Sequence, residues 1–131
     1  MKTFSQWLET TNWFGKSEYR PSRFPEDKVY NVSKLATWAK DKITPTKLSI
    51  ADIEARYMWA EGLFTKNVPK EWLDRSTSTD LSFPIIMLQY PDGKWEIIDG
   101  NHRTWKAWNE KEDSIKGYLI KSDQMPEPNE I

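Results

Sequence analysis

Cysteine is absent from the chain of 131 residues. Its absence excludes disulfides, thiolate nucleophiles and cysteine-held zinc together, and it fits a protein that stays in the cytoplasm. No apolar run approaches the roughly 18 residues needed to span a bilayer. The opening Met1-Lys2-Thr3-Phe4-Ser5-Gln6-Trp7-Leu8-Glu9 turns polar too soon for a secretory signal. No membrane contact is expected. An excess of charge of one sign is missing as well, since 19 Lys and Arg against 20 Asp and Glu leave a formal net charge of −1. Such a balance provides no global basic field for DNA or RNA, so any nucleic-acid contact has to be local. Histidine occurs once, at His102.

What the chain has in abundance is tryptophan: eight residues, Trp7, Trp13, Trp38, Trp59, Trp72, Trp95, Trp105 and Trp108. Indoles can stack on the bases of a single strand. In a chain of this length they more often fill a core, and several recur here at helical or strand spacing beside other apolar residues. The length suits one core. Phe4, Trp7 and Leu8 mark one face of a short helix over residues 3–10, and residues 15–28, with two prolines, a glycine and many charges, read as an irregular connection. Asn31 or Ser33 caps a second helix that turns Leu35, Trp38 and Ala39 inward and ends before Pro45. Residues 1–45 therefore read as an N-terminal helical extension, too apolar to stand in water, and residues 46–131 as the main domain.

Within that domain, Leu48, Ile50 and Ile53 fit a short strand running into a turn, while residues 51–56 equally suit the start of a helix. Pro69 with Trp72 and Leu73 predicts a further short helix, and residues 76–80 a polar loop. The apolar run 83–90, the turn residues Pro91-Asp92-Gly93-Lys94 and the resumed strand 95–98 predict a β-hairpin. The period then changes to helical, with Trp105 and Trp108 on one face of a helix over residues 102–112, before a last strand at 114–120 and a loose tail. The expected fold class is α+β, a small mixed sheet with flanking helices.

The junction at Asp99-Gly100-Asn101-His102-Arg103 carries the chemistry. A strand that turns directly into a helix leaves the first helical N–H groups without intrahelical partners, and these attract anions. Gly100 permits a tight turn and a close backbone approach, while His102 and Arg103 add donors and charge; the planar fork of arginine matches phosphate oxygens. The same residues also suit a plain helix start, with Asp99 or Asn101 as cap, Arg103 paired to a carboxylate and His102 neutral near the surface. An open pocket beside Arg103 is what separates the two.

Residues 84–98 followed by Asp99-Gly100-Asn101-His102-Arg103 and Ala107 resemble the hairpin and signature helix of the ParB/sulfiredoxin superfamily. The similarity covers residues 47–121, with its specific part at about 83–108. It implies that Gly100, Asn101, His102 and Arg103 bind a nucleotide phosphate, with Asp99 shaping the turn. Asn101 stands where sulfiredoxins have their reactive cysteine, so peroxiredoxin repair is not implied. Partition proteins have Glu-Arg-Arg in place of Asn101-His102-Arg103, together with helix-turn-helix and dimerisation domains for which this chain has no room. Free-serine kinases share the Gly-x-His-Arg pattern, and for the catalytic carboxylate that they draw from an earlier segment the candidate is Glu54.

Those expectations define three classes of function. The first is a nucleotide-dependent enzyme, an NTP hydrolase, phosphotransferase or nuclease, with His102 and Glu54 as catalytic residues. Phosphoryl transfer suits such a corner because its transition state spreads negative charge over phosphate oxygens. Mg²⁺ could accompany the nucleotide, with Glu54, Asp99 or Asp52 as ligands. The second is a non-catalytic binding module that regulates or inhibits a protein partner, at home among phage-encoded stand-alone members. The third is single-strand nucleic-acid binding through the tryptophans and scattered lysines.

Overall fold

The protein is described here by a computed structural model that covers residues 2–11 and 17–131. Trp13 and the first two residues of the connection expected over 15–28 lie outside the described residues. The fold is α+β. A four-stranded mixed sheet is built from β3 (Thr46–Ser49), β4 (Ile85–Gln89), β5 (Trp95–Asp99) and β6 (Ser114–Lys121), in the order β3-β6-β4-β5, and a two-stranded ribbon from β1 (Glu18–Tyr19) and β2 (Tyr30–Asn31). The helices are α1 (Phe4–Thr10), α2 (Val32–Lys42), α3 (Ile50–Arg56), α4 (Ala60–Leu63), α5 (Lys70–Thr77) and α6 (Asn101–Asn109). Among the described residues no helix is long and apolar enough to cross a membrane.

Both faces of the sheet are covered, which explains why β4 is so continuously apolar: Ile85, Ile86, Met87 and Leu88 are all buried. Ile85, Met87, Trp95 and Ile97 face a core shared with Trp7 of α1, Ile53 of α3, Leu63 of α4, Trp72 of α5 and Trp105 of α6. Ile86, Leu88, Ile98 and Ile120 face a second core closed by Leu35 and Ala39 of α2 and by Tyr19 and Tyr30 of the ribbon. The described residues among 2–42 are thus divided between the two faces, α1 on one and α2 on the other. Each such side chain removed from water stabilises the fold by about 1.5–3 kcal/mol, so the described part of this segment belongs to the core.

Local chemistry sets the element ends. Thr3 caps α1 through a capping box with Gln6, Asn31 caps α2 by accepting from the Lys34 amide at 3.0 Å, and Ser49 caps α3 by accepting from the Asp52 amide at 3.2 Å. The two expectations for residues 47–56 both hold in part. Leu48 lies in β3, whereas Ile50 and Ile53 lie in α3, because the Ser49 cap converts the strand into a helix. The helix expected over 102–112 begins one residue earlier and ends at Asn109, where the Glu112 amide bonds Ala107 O at 2.9 Å and Lys111 adopts φ 60°.

Two expectations are corrected. Ser76, assigned to a polar loop, is the fully buried penultimate residue of α5. The tail after β6 is docked rather than loose. Tyr30 donates to Pro126 O at 2.7 Å, Lys28 pairs with Glu127, and Met125 and Ile131 rest on the second core. An unforeseen element is α4, where a Cβ on Gly62 would stand 2.0 Å from Trp7 Cβ, so glycine alone lets α1 and α4 touch.

Candidate functional site

Asp99 ends β5, the edge strand of the sheet, and Gly100 opens α6 at φ 106°, a left-handed conformation, with no side-chain cap. Packing demands the same residue, since a Cβ here would lie 2.4 Å from Ile85 Cγ2. The Thr104 amide is the first of α6 to find a carbonyl, that of Gly100 at 2.8 Å. The amides ahead of it, those of Asn101 and Arg103 among them, have no carbonyl of the helix to bond. The five residues of the motif are therefore contiguous around one helix start, as the sequence implies.

Their side chains are partly enclosed by neighbouring elements, with Asp99 and Arg103 the more open of them. His102 is buried against α5: its ring stacks on Trp72 with centroids 3.9 Å apart, and Nδ1 lies 2.8 Å from Ser76 Oγ. Burial, followed by the charges of Arg75 and Arg103, pushes its pKa down from 6.5 to about 4, so the imidazole is neutral at pH 7. Asn101 is 2% exposed, and its Oδ1 has no hydrogen-bond partner among the described residues. Arg103 turns back over the helix start. Its Nη2 donates to Pro84 O at 3.3 Å and to Asp99 Oδ2 at 3.2 Å, while its Nε is buried with no hydrogen-bond partner among the described residues.

Further charges gather on the rim. Lys106, on the next turn of α6, donates to Thr79 O at 2.8 Å. The Ser82 amide donates to Asp80 Oδ1 at 2.8 Å. Hydrogen bonds from Ser82, then the nearby charges of Lys106 and Arg103, hold the Asp80 carboxyl below the usual carboxylate range. Asp99 pairs with the same Arg103 guanidinium at 3.2 Å.

Glu54 is not brought to this corner. It lines a cavity of ≈ 320 Å³ with Trp108, Lys111 and Asp113, past the last turn of α6. With a rise of about 1.5 Å per residue, the helix separates that end from its first turn by about 10 Å. Asp52 is exposed on the first turn of the same helix as Glu54. Among the described residues no group of three or more His, Asp or Glu is placed to hold a metal ion. The seven described tryptophans are buried or half-buried and serve the two cores, which leaves no row of open indoles for a single strand.

The most completely bonded polar group lies elsewhere on β5 and is not evident from the sequence. Glu96 is fully buried, and its carboxylate accepts from the Tyr19 hydroxyl, from the Tyr90 hydroxyl at 2.6 Å, from Ser22 Oγ at 2.8 Å and from the Ser22 amide at 3.0 Å. Burial and the neighbouring carboxylate raise the pKa values of both tyrosines. One signal was available: a carboxylate inside a strand whose other residues are apolar has to find donors within the fold.

No protein-family model, curated protein or solved structure matches the chain. The functional assignment therefore rests on the chain's own residues.

Proposed function

We propose that this chain is a ParB/sulfiredoxin-like binding domain that holds a phosphate-bearing ligand, with a nucleotide as the ligand class, at the turn opening α6. Asn101 carries the proposal. Its buried Oδ1 has no partner among the described residues, which costs about 1–3 kcal/mol, and its place in the first turn of α6, where N–H groups lack helical carbonyls, suits an anion that also offers a hydroxyl. Asn101 Nδ2 would donate to a phosphate oxygen, and Oδ1 would accept from a P–OH or sugar hydroxyl. Arg103, 17% exposed and already within reach of Asp99, supplies the charge. Because Asp80 and Asp99 share that neighbourhood, the anion is better accommodated with Mg²⁺, which takes one or two carboxylates alongside phosphate oxygens.

Binding without turnover is favoured over NTP hydrolysis, phosphotransfer or nuclease action. A general base has to reach the attacking group, yet His102 is stacked on Trp72 with Nδ1 engaged by Ser76, and Glu54 sits at the far end of α6. A ligand-gated regulator or inhibitor of a protein partner suits such a site.

The test is a melting-temperature screen of nucleoside triphosphates and inorganic triphosphate, with and without Mg²⁺, followed by calorimetric titration. A ligand at about 100 times its Kd stabilises the native state by about 2.7 kcal/mol. Arg103→Ala should weaken binding by about 1.5–3 kcal/mol, with Arg103→Lys recovering only part. Phosphate release under the same conditions should stay at background. If no phosphate compound shifts the melting of the wild type at millimolar concentration, or if Arg103→Ala binds as tightly as the wild type, the assignment fails.

A further inference from the structure

Phe83 is the most exposed large hydrophobic side chain among the described residues, at 61%. It does not sit on a wandering loop. The loop between α5 and β4 is tied to α6 at two points, by Lys106 Nζ on Thr79 O at 2.8 Å and by Arg103 Nη2 on Pro84 O at 3.3 Å. Inside it, Asp80 accepts from the Ser82 amide at 2.8 Å and the Phe83 amide approaches Asp80 O at 3.4 Å, forming a compact turn. The residue that presents an open aromatic ring is thus the direct neighbour of the residue whose carbonyl holds the Arg103 guanidinium. Folding gains little from a ring left so far in water. An exposed aromatic ring on a loop whose next residue is bonded to a cationic group suits an aromatic base attached to a phosphate, because every base presents a π-face to stack.

We infer that Phe83 is the base-stacking residue of the α6 site, which makes the ligand a nucleotide rather than free phosphate or an aliphatic phosphate ester. The inference rests on the phosphate-site assignment above and adds the second contact. Arg103 and the α6 start hold the phosphate end, and Phe83 receives the base from the rim of the same corner. Stacking on a phenyl ring tolerates any base, so the site should rank ATP, GTP, CTP and UTP by stacking strength rather than by hydrogen-bonding pattern.

Titration calorimetry of the full chain against each Mg²⁺–nucleoside triphosphate and against Mg²⁺–inorganic triphosphate tests this, with Phe83→Ala, Phe83→Trp and Arg103→Ala as variants. The wild type should bind nucleotides about 5- to 100-fold more tightly than inorganic triphosphate, the range that base–aromatic stacking provides. Phe83→Ala should erase that preference while leaving inorganic triphosphate affinity and the melting temperature unchanged, and Phe83→Trp should restore it. Arg103→Ala should weaken both ligands. If Phe83→Ala retains the preference, or the wild type shows none, the stacking assignment is overturned while the phosphate site stands. If the wild type binds neither ligand, both assignments fall.

Discussion

Two buried polar clusters, one within β5 and one just beyond its end at the start of α6, answer the same physical problem in opposite ways. At Glu96 a fully buried carboxyl group receives four donors, two tyrosine hydroxyls, one serine hydroxyl and one amide, so its oxygens are satisfied within the fold. At the α6 start, the Asn101 oxygen and the Arg103 Nε are buried with no partner among the described residues. A group closed on every side contributes stability and has nothing left to offer a ligand. A group left without a partner costs stability, which the proposed ligand would offset. The first cluster ties the segment carrying Tyr19 and Ser22 to the edge of the sheet; the second faces the loop that carries Phe83.

The sharpest way to break this comparison is Glu96→Ala. It leaves two tyrosine hydroxyls and the Ser22 donors without their acceptor, and should cost at least about 1–3 kcal/mol of unfolding free energy, the range for a buried polar group left unsatisfied. Urea or guanidinium titration at pH 7 measures it, and a loss below about 1 kcal/mol would show that the network is not structural. Nucleotide affinity, measured under conditions where the variant is still folded, should be unaffected.

The pH profile gives a smaller effect at the second cluster. The folded His102 pKa of about 4 lies below its ordinary 6.5, so the unfolded chain binds more protons between these values. Stability should therefore be fully present above about 6.5 and decline as the pH falls toward about 4. Denaturant titrations at pH 7, 6 and 5 should show the decline, and His102→Phe, which keeps a ring against Trp72, should flatten it. An unchanged slope in that variant would place the titrating group elsewhere.

The smallest stability change is expected from Asn101→Leu, which replaces an amide whose Oδ1 has no partner among the described residues by an apolar side chain of similar size. Its unfolding free energy should stay within about 1 kcal/mol of the wild type, on either side, while nucleotide affinity falls. Loss of stability by several kcal/mol would mean that Asn101 is bonded in the fold, which would remove the contrast with Glu96.

Much of the architecture is visible in periodicity. The i, i+3, i+4 spacing of Phe4, Trp7 and Leu8 predicts α1; the Pro91–Lys94 turn between two apolar runs predicts the β4–β5 hairpin; and the change of period at Gly100 predicts α6. These features are local, set by side-chain spacing and turn chemistry. Residues 60–63 escaped notice because α4 has no period of its own and exists where Gly62 meets Trp7. The docked tail escaped notice because Tyr30 and Lys28, nearly a hundred residues earlier, hold it.

The candidate site divides along the same line. By itself the sequence determined that Asp99 through Arg103 form one corner, because five consecutive residues at a strand-to-helix turn cannot be separated. Tertiary structure alone decided that His102 lies under α5 against Trp72 and Ser76, that Glu54 stands beyond the other end of α6, and that Phe83 is exposed next to the Pro84 carbonyl that Arg103 bonds. It also decided that Glu96 is matched and Asn101 is not, for a physical reason. Whether a polar atom is satisfied depends on donors and acceptors brought in from distant segments, such as Tyr19 and Ser22 for Glu96, and local spacing carries no record of them.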